Sequence, residues 1–325
     1  MSQNKHKFGR IGVLMGGCSS EREISLQSGQ AVYDALHGMG LDVQAIDLRD
    51  DQPDRVRDLL LEKKVDGVFI ALHGRFGEDG QIQKLCEQLG LPYTGSDAVA
   101  SRRAYNKIIT QSTLLAHNVM VPDFVTMESQ DPDRIPATVA SLGSYPFVVK
   151  PACEGSSIGV TVVRDETELR RAVEEAWGYG PYVLIERFVP GRELTVGILG
   201  DVPLDAVEVV TQRPFYDFTA KYQEGQTEYK VPADLPLEIR HVLQETAFKV
   251  HTVMGCRDIS RVDFRLDPEL KPFVLEINTI PGFTPHSLLP KAAAHAQITF
   301  DKICLTLLNL AYAQKKEKKL ITADH

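Results

Sequence analysis

Apolar and polar positions divide the chain into three stretches with different periods. From residue 9 to about residue 100, short apolar runs alternate with helical patterns. Strands are predicted over Arg10–Met15, Val43–Leu48 and Val65–Leu72. Helices are predicted from Ile24 through Leu36, over Arg55–Lys64, and from about Gly80 to Leu89. Ser20 is the expected cap of the first. Strand–helix–strand order implies a parallel sheet with right-handed crossovers. Pro92–Asp97 reads as a sheet edge and Ala98–His117 as one helix with Lys107 inside it. From about 119 to 200 the elements shorten, with PFVVKP (146–151) ending on Lys150, VTVV returning, a helix over Asp165–Glu175 and the strand YVLIERF.

Residues 201–235 carry five aromatics and two lysines in PFYDFTAKYQEGQTEYKVPADLP without a regular period. A loop that long inside a domain suggests a lid, or else a surface excursion. Residues 236–254 form an amphipathic helix with Ile239, Val242, Leu243, Ala247, Val250 and Met254 inward and His241 and His251 exposed. A last helix is expected over 298–313.

Arg257–Ser287 has the clearest period-two pattern. Val262, Phe264 and Leu266 share one face, with Arg261, Asp263 and Arg265 on the other. In the second half Phe273, Leu275 and Ile277 oppose Val274, Glu276 and Asn278. With a turn at Pro268–Lys271, Asp263 lies across from Glu276 and Arg261 across from Asn278. Facing carboxylates repel. Either this is a solvated charged face, or a cation lies between them, and an all-oxygen set suits magnesium.

Other loops hold candidates of the same two-sided kind. GGCSSE and HGRFGEDG lie at the carboxyl ends of strands, where ligands of parallel sheets gather. Glu21 and His73 are therefore site candidates, although Glu21 could equally be a first-turn charge and His73 a loop histidine. Neither GxGxxG nor GxxxxGK[ST] occurs. ACEGSSIG is either a phosphate nest with Lys150 at its base or a flexible hairpin loop. Glu186 and Glu193 fall near a subdomain junction, where nucleotides often bind.

Composition narrows the function classes. The 325 residues exceed one typical domain, and a net charge of −8 argues against nucleic acid or an anionic membrane as partner. No apolar run reaches about 18 residues, and MSQNKHKFGR has no signal-peptide core. The basic run KKEKK reads as a solvated tail. Five scattered cysteines without CxxC indicate free thiols in a reducing compartment, so a cytoplasmic location is expected.

Seven motifs in order, GGCSSEREISL, ALHGRFGEDG, VVKP…EGSSIG, LIERFVPGRELTV, FYDFTAKY, SRVDF and LEINTIPGFTPHS, resemble the D-alanine–D-alanine ligase family of the ATP-grasp superfamily. The match covers nearly the whole chain. It implies an α/β and α+β fold, with an amino-terminal parallel Rossmann-like domain over 1–102 followed by a two-subdomain ATP-grasp fold. The subdomains are expected over 103–187 and 188–325, with a lid loop at 213–235.

The reaction that the resemblance implies joins two D-alanines through an acyl phosphate, releasing ADP and phosphate, for peptidoglycan precursors. By resemblance, Asp263, Glu276 and Asn278 hold two magnesium ions, which manganese can replace, and potassium is a further candidate. Lys107, Lys150 and Lys221 neutralise phosphates under the loop Glu154–Ser157, in which Glu154, Ser156 and Ser157 meet ATP. Glu186 and Val189 meet adenine, Phe188 its face, and Glu193 the ribose. Arg261 and the Gly282 N–H form an oxyanion hole. Glu21 and His73 take the first D-alanine and Ser287 the second, and Glu21, Ser156 and Tyr222 pin the lid. The family also implies a homodimer.

Cys18 and Cys153 in two site loops, and Ile280 and Pro285, depart from residues usual in the family. A D-alanine–D-lactate ligase and a non-catalytic nucleotide-binding relative are the rival readings. Tyr222 argues against the first, and retention of the charged residues against the second.

Overall fold

The computed structural model describes residues 7–128, 131–211 and 227–323, with side chains as far as 314. Strand β1 (Arg10–Gly16) lies between β2 (Asp42–Leu48) and β3 (Gly67–Ile70), and both pairings are parallel. Its run of Ile11 to Met15 is buried on both faces, which explains why it reads as continuously apolar. Helices α1 (Arg22–Gly38), α2 (Pro53–Lys63) and α3 (Gln81–Gln88) complete the expected alternation. The third strand is shorter than expected, and Tyr93 extends the sheet edge by a parallel bridge to Val68.

Two boundaries differ from expectation for local reasons. Glu21, not Ser20, occupies the cap position of α1, and it makes no side-chain cap bond. The useful hydroxyl is that of Ser19, which accepts from Glu21 N at 3.2 Å and donates to His73 O at 2.7 Å. The helix expected over 98–117 is two: α4 (Ala98–Tyr105) and α5 (Lys107–Ala116). Asn106 breaks it with φ −91° and ψ 106°, its side chain accepting from Ile108 N and Ile109 N. Asparagine competes for backbone donors in this way and so starts a new helix. Lys107 is therefore the first residue of α5, not an interior one.

The middle sheet is antiparallel, ordered β4 (Phe124–Met127), β7 (Val183–Arg187), β5 (Phe147–Pro151), β6 (Thr161–Val163). The short α6 (Ile135–Val139) and α7 (Glu166–Trp177) cover it, and Asp165 caps α7 through Glu168 N.

The third sheet contains β8 (Arg192–Leu199), β9 (Val202–Pro203), β10 (Val207–Thr211), β11 (Thr227–Lys230), β12 (Ile259–Leu266) and β13 (Pro272–Asn278). Its order is β11-β10-β8-β12-β13, with β9 pairing β8. Part of the expected lid loop is thus the edge strand β11, with Glu208 opposite Lys230. Lys221 and Tyr222 lie outside the described residues.

The β12–β13 hairpin has the predicted register: Asp263 pairs with Glu276 and Arg261 with Asn278. The predicted faces hold for only part of β13. A bulge at Leu275 shifts the pairing between Asp263 and Phe264, so Val274 and Ile277, not Phe273 and Leu275, enter the core. One extra residue reverses the in–out parity on either side of it.

Helix α8 (Leu237–Val253) packs on this sheet, and α9 (Leu288–His295) and α10 (Phe300–Ala323) follow where one helix was expected. Helix α10 returns to the first sheet, where Tyr312 donates to Phe8 O and lies edge-on to the Phe8 ring. One apolar cluster therefore joins Phe8, Ile11 and Val13 to Ile259, Leu289 and Ile303. His251 of α8 is buried, contrary to expectation, with Nδ1 2.7 Å from Ser260 Oγ.

Burial holds His251 down to about 4 from 6.5, against a weak opposing pull from Asp201. The unfolded chain takes up this proton more readily. The contribution is therefore complete above pH 6.5 and lost as pH falls towards 4. In urea unfolding, the stability advantage of wild type over His251→Gln should shrink by about 2–3 kcal/mol between pH 7 and pH 4.

Candidate active site

A cavity of about 780 Å³ opens where the three sheets meet. Glu21, His73, Lys107, Glu154, Ser156, Arg261, Glu276, Asn278, Gly282 and Ser287 all line it. These residues come from segments far apart in sequence, and the shared cores bring them together.

The loop between β5 and β6 rests on the start of α1. Ser156 Oγ donates to Glu21 Oε1. Ser156 and Ser157 both have positive φ, 49° and 60°, which costs energy for non-glycine residues. The bond to Glu21 helps hold that conformation. A Cβ on Gly155 would sit 2.4 Å from Glu21 Oε2, so a larger residue there would displace the Glu21 carboxylate.

The carboxylates of this region share a low-dielectric wall. Burial pushes Glu78 up, with His73 opposing and Glu21 adding to the rise. Burial likewise pushes Glu154 up, Lys107 opposes, and Glu21 adds. Tyr105, at the end of α4, is raised by burial and then by Glu78, Glu154 and Glu21, so its phenol stays neutral. Glu78 and Tyr105 line the cavity and were not singled out in the sequence, although GEDG was part of a quoted motif.

His73 is buried with both ring nitrogens engaged: Nδ1 is 3.0 Å from Ile280 O and Nε2 is 2.9 Å from Ser28 Oγ. A carbonyl can only accept, so Nδ1 carries hydrogen. Ser28 Oγ also accepts from Phe283 N at 3.2 Å. The ring thus ties α1 and the β3–α3 loop to residues 280–283, which carry Gly282.

On the hairpin, side-chain cations answer the facing carboxylates. Arg261 donates to Asp263 through Nε at 2.8 Å and Nη2 at 2.7 Å, and Thr195 Oγ1 donates to the same carboxylate at 2.6 Å. Lys107 Nζ lies 3.1 Å from Glu276 Oε2 and 2.5 Å from Glu154 O. Burial alone would lower Lys107, but the neighbouring Glu276, with Cys153 and Glu78, outweighs it and the net shift is upward. Asn278 Oδ1 accepts from Ile280 N at 2.8 Å.

Among the described residues no group of three or more His, Cys, Asp or Glu side chains forms a metal cluster. The fit to magnesium rests on donor chemistry. Asp263, Glu276 and Asn278 offer only oxygens from one sheet face, and Glu276 and Asn278 open onto the cavity. A cation reaching Asp263 competes with Arg261.

Lys150, Ser157, Glu186, Phe188, Val189 and Glu193 do not line this cavity. Lys150 Nζ and Glu186 Oε2 form a buried pair at 2.5 Å, and Gln111 Nε2 reaches Glu186 Oε1 at 3.2 Å. Gln111 also donates to Leu275 O at 2.7 Å, while its own Oε1 is buried without a partner. Phe188, Val189 and Glu193 gather around Arg265. The guanidinium lies 5.6 Å from the Phe188 ring, donates to Val189 O at 3.1 Å and is 3.5 Å from Glu193. Gln111 and Arg265 were missed because neither belongs to a local motif.

The α9 end completes the wall. Ser287 is at its N-cap, with Oγ accepting from Thr284 N at 3.0 Å. Tyr229 of β11 and Lys291 of α9 also line the cavity.

The family models for the D-ala D-ala ligase N-terminus and C-terminus match residues 49–96 and 113–309. A D-alanine–D-alanine ligase of Syntrophotalea carbinolica is 44% identical over 309 residues, 94% of this chain and 97% of that one. Among solved structures, D-alanine–D-alanine ligase from Bacillus anthracis complexed with ATP superposes with a TM-score of 0.81 at 30% identity, covering 95% of this chain and 99% of that one. VanG D-Ala:D-Ser ligase from Enterococcus faecalis gives a TM-score of 0.81 at 27% identity, covering 93% and 99%.

Removing one member of a buried ion pair leaves the other charge uncompensated. Lys150→Met should therefore destabilise the protein by about 3–5 kcal/mol in denaturant unfolding. Adding Glu186→Leu should recover most of that loss.

Proposed function

The chain belongs to the D-alanine–D-alanine ligase family, and on that premise we propose that it uses ATP to join two D-alanines into D-alanyl-D-alanine for peptidoglycan synthesis. The observation that carries this reading is the set of complementary groups on one cavity wall. Glu21 suits an ammonium, Arg261 and Gly282 N–H a developing oxyanion, and Ser287 a carboxylate. It is an enzyme of the ADP-forming ligase type, and a structural relative binds ATP.

In the first step the carboxylate of one D-alanine attacks the γ-phosphorus of ATP, forming an acyl phosphate and ADP. Phosphoryl transfer needs mainly positioning and charge neutralisation. Glu21 holds the ammonium of this D-alanine. His73 faces its carboxylate and, through Ser28 and Ile280, orients the loop bearing Gly282. Lys107, Lys150 and Lys221 neutralise phosphate, and the backbone of Glu154–Ser157, with the Ser156 and Ser157 donors, covers it.

Glu186 and Val189 meet adenine, Phe188 its face, and Glu193 the ribose. Support for a nucleotide here is the orphaned Gln111 Oε1 beside Glu186. Asp263, Glu276 and Asn278 would hold magnesium, or manganese in its place, which supplies further neutralisation of the phosphate oxygens. With the metal on these carboxylates, Lys107 and Arg261 would be available to substrate oxygens. Potassium remains a candidate activator.

In the second step the amine of another D-alanine, whose carboxylate meets Ser287, attacks the acyl carbon. Arg261 and Gly282 N–H stabilise the tetrahedral oxyanion, and its collapse expels phosphate. The bond between Ser156 and Glu21, with Tyr222, keeps water from the acyl phosphate. We extend the reading to three units, 1–102, 103–187 and 188–325, and to a cytoplasmic homodimer. Light scattering of the purified chain tests the dimer.

Pure protein with ATP, magnesium and D-alanine should release ADP and form D-alanyl-D-alanine, followed by a coupled assay and mass spectrometry. With D-lactate and D-serine competing at neutral pH, the dipeptide of alanine should predominate. A predominant depsipeptide or a D-serine product would overturn the acceptor assignment. Arg261→Ala should lower the rate of peptide formation by about 10²–10³ while nucleotide binding, read by calorimetry, changes little.

A further inference from the structure

Among the described residues three lysine and arginine side chains line the cavity: Lys107, Arg261 and Lys291. Two have carboxylate partners, Lys107 with Glu276 and Arg261 with Asp263. Among the described residues Lys291 has none. Its ammonium lies over the Tyr229 ring, 4.6 Å from the centroid. An aromatic face holds a cation in place without neutralising it. The three N–H donors of the ammonium thus stay available to an anion.

The position of Lys291 indicates which anion. Lys291 follows Ser287 by four residues, and its backbone N–H donates to Ser287 O at 3.0 Å. Residues four apart lie on one helix face. Both line the cavity. Tyr229 pairs across the sheet with Val209, and Leu288 at the start of α9 packs against the same Val209. The cation is therefore built into the wall by two elements, the edge strand β11 and helix α9. Glu21, Gly155 and Ser156 form a separate group joined through contacts of their own.

We propose that Lys291, held on Tyr229, is a specificity-determining residue that recognises the carboxylate of the second amino acid together with Ser287. The inference rests on the proposed ligase reading and deepens it. It makes the acceptor site selective for an amine that carries an α-carboxylate, beyond a demand for any small amine. No bond is made or broken by Lys291, so it acts on acceptor affinity and orientation.

The test compares D-alanine with D-alaninamide, an acceptor amine without the carboxylate charge, in wild type, Lys291→Gln and Lys291→Arg. In Lys291→Gln, kcat/KM for D-alanine as acceptor should fall about tenfold or more, that for D-alaninamide should stay within about twofold, and KM for ATP should not change. Lys291→Arg should restore most of the preference, since the guanidinium keeps both the charge and the stacking. An equal loss for both acceptors would make Lys291 a structural clamp on Tyr229 and sink the inference. A raised KM for ATP would assign the ammonium to the nucleotide and sink it equally. Thermal unfolding of each variant separates these results from a folding defect. Absence of D-alanine-dependent ADP release in the unsubstituted enzyme would instead overturn the ligase reading itself.

Discussion

Two carboxylates, Asp263 and Glu276, face one another across β12 and β13, and the arrangement of the site depends on how their repulsion is met. Arg261, two residues along the same strand face, takes Asp263 with two hydrogen bonds. Lys107 takes Glu276 from another part of the chain. Lys107 can do so because Asn106 ends one helix and starts the next, which sets the lysine at the first turn of α5. Its backbone N–H is fixed to Ala152 O and its ammonium also reaches Glu154 O. One lysine thus connects the hairpin, a helix and the small-residue loop.

The second organising contact joins that loop to the amino-terminal sheet. Glu21 emerges at the head of α1, where its side chain is free of any capping bond and can accept from Ser156. The glycine beside Ser156 lets the backbone approach, and two positive-φ serines follow the contour that results. His73, Ser28 and the 280–283 loop form a parallel connection deeper in the structure. The apolar cluster shared by β1, β12, α9 and α10 makes both contacts rigid. Catalytic groups on loops are accurate only when such a scaffold positions them.

Charge along the cavity wall is arranged for a reaction between zwitterions. Glu21, Glu78 and Glu154 give one region negative character, with burial raising the pKa of the last two. The Ser287 hydroxyl and the Lys291 ammonium place donors at the α9 end, as the proposed acceptor site requires. Ammonium and carboxylate ends of amino-acid substrates can then be told apart by position.

Local patterns in the sequence were sufficient for the parallel β1–β3 unit, the antiparallel hairpin and the register that opposes Asp263 to Glu276. Those features follow from side-chain periodicity and turn residues, which act over a few positions. The order of seven motifs carried the family, and ten of the site residues expected with it line one cavity. The bulge at Leu275 was not legible, because it depends on Val274 and Ile277 both finding space under α8 and β8. Nor was the burial of His251, which a helical period places at the surface until Ser260 and the neighbouring strand cover it. Tertiary structure alone decided which cation meets which carboxylate, and which one, Lys291, is left over the Tyr229 ring. Such pairing is fixed by distances of a few ångströms between segments remote in sequence, and no local period records them.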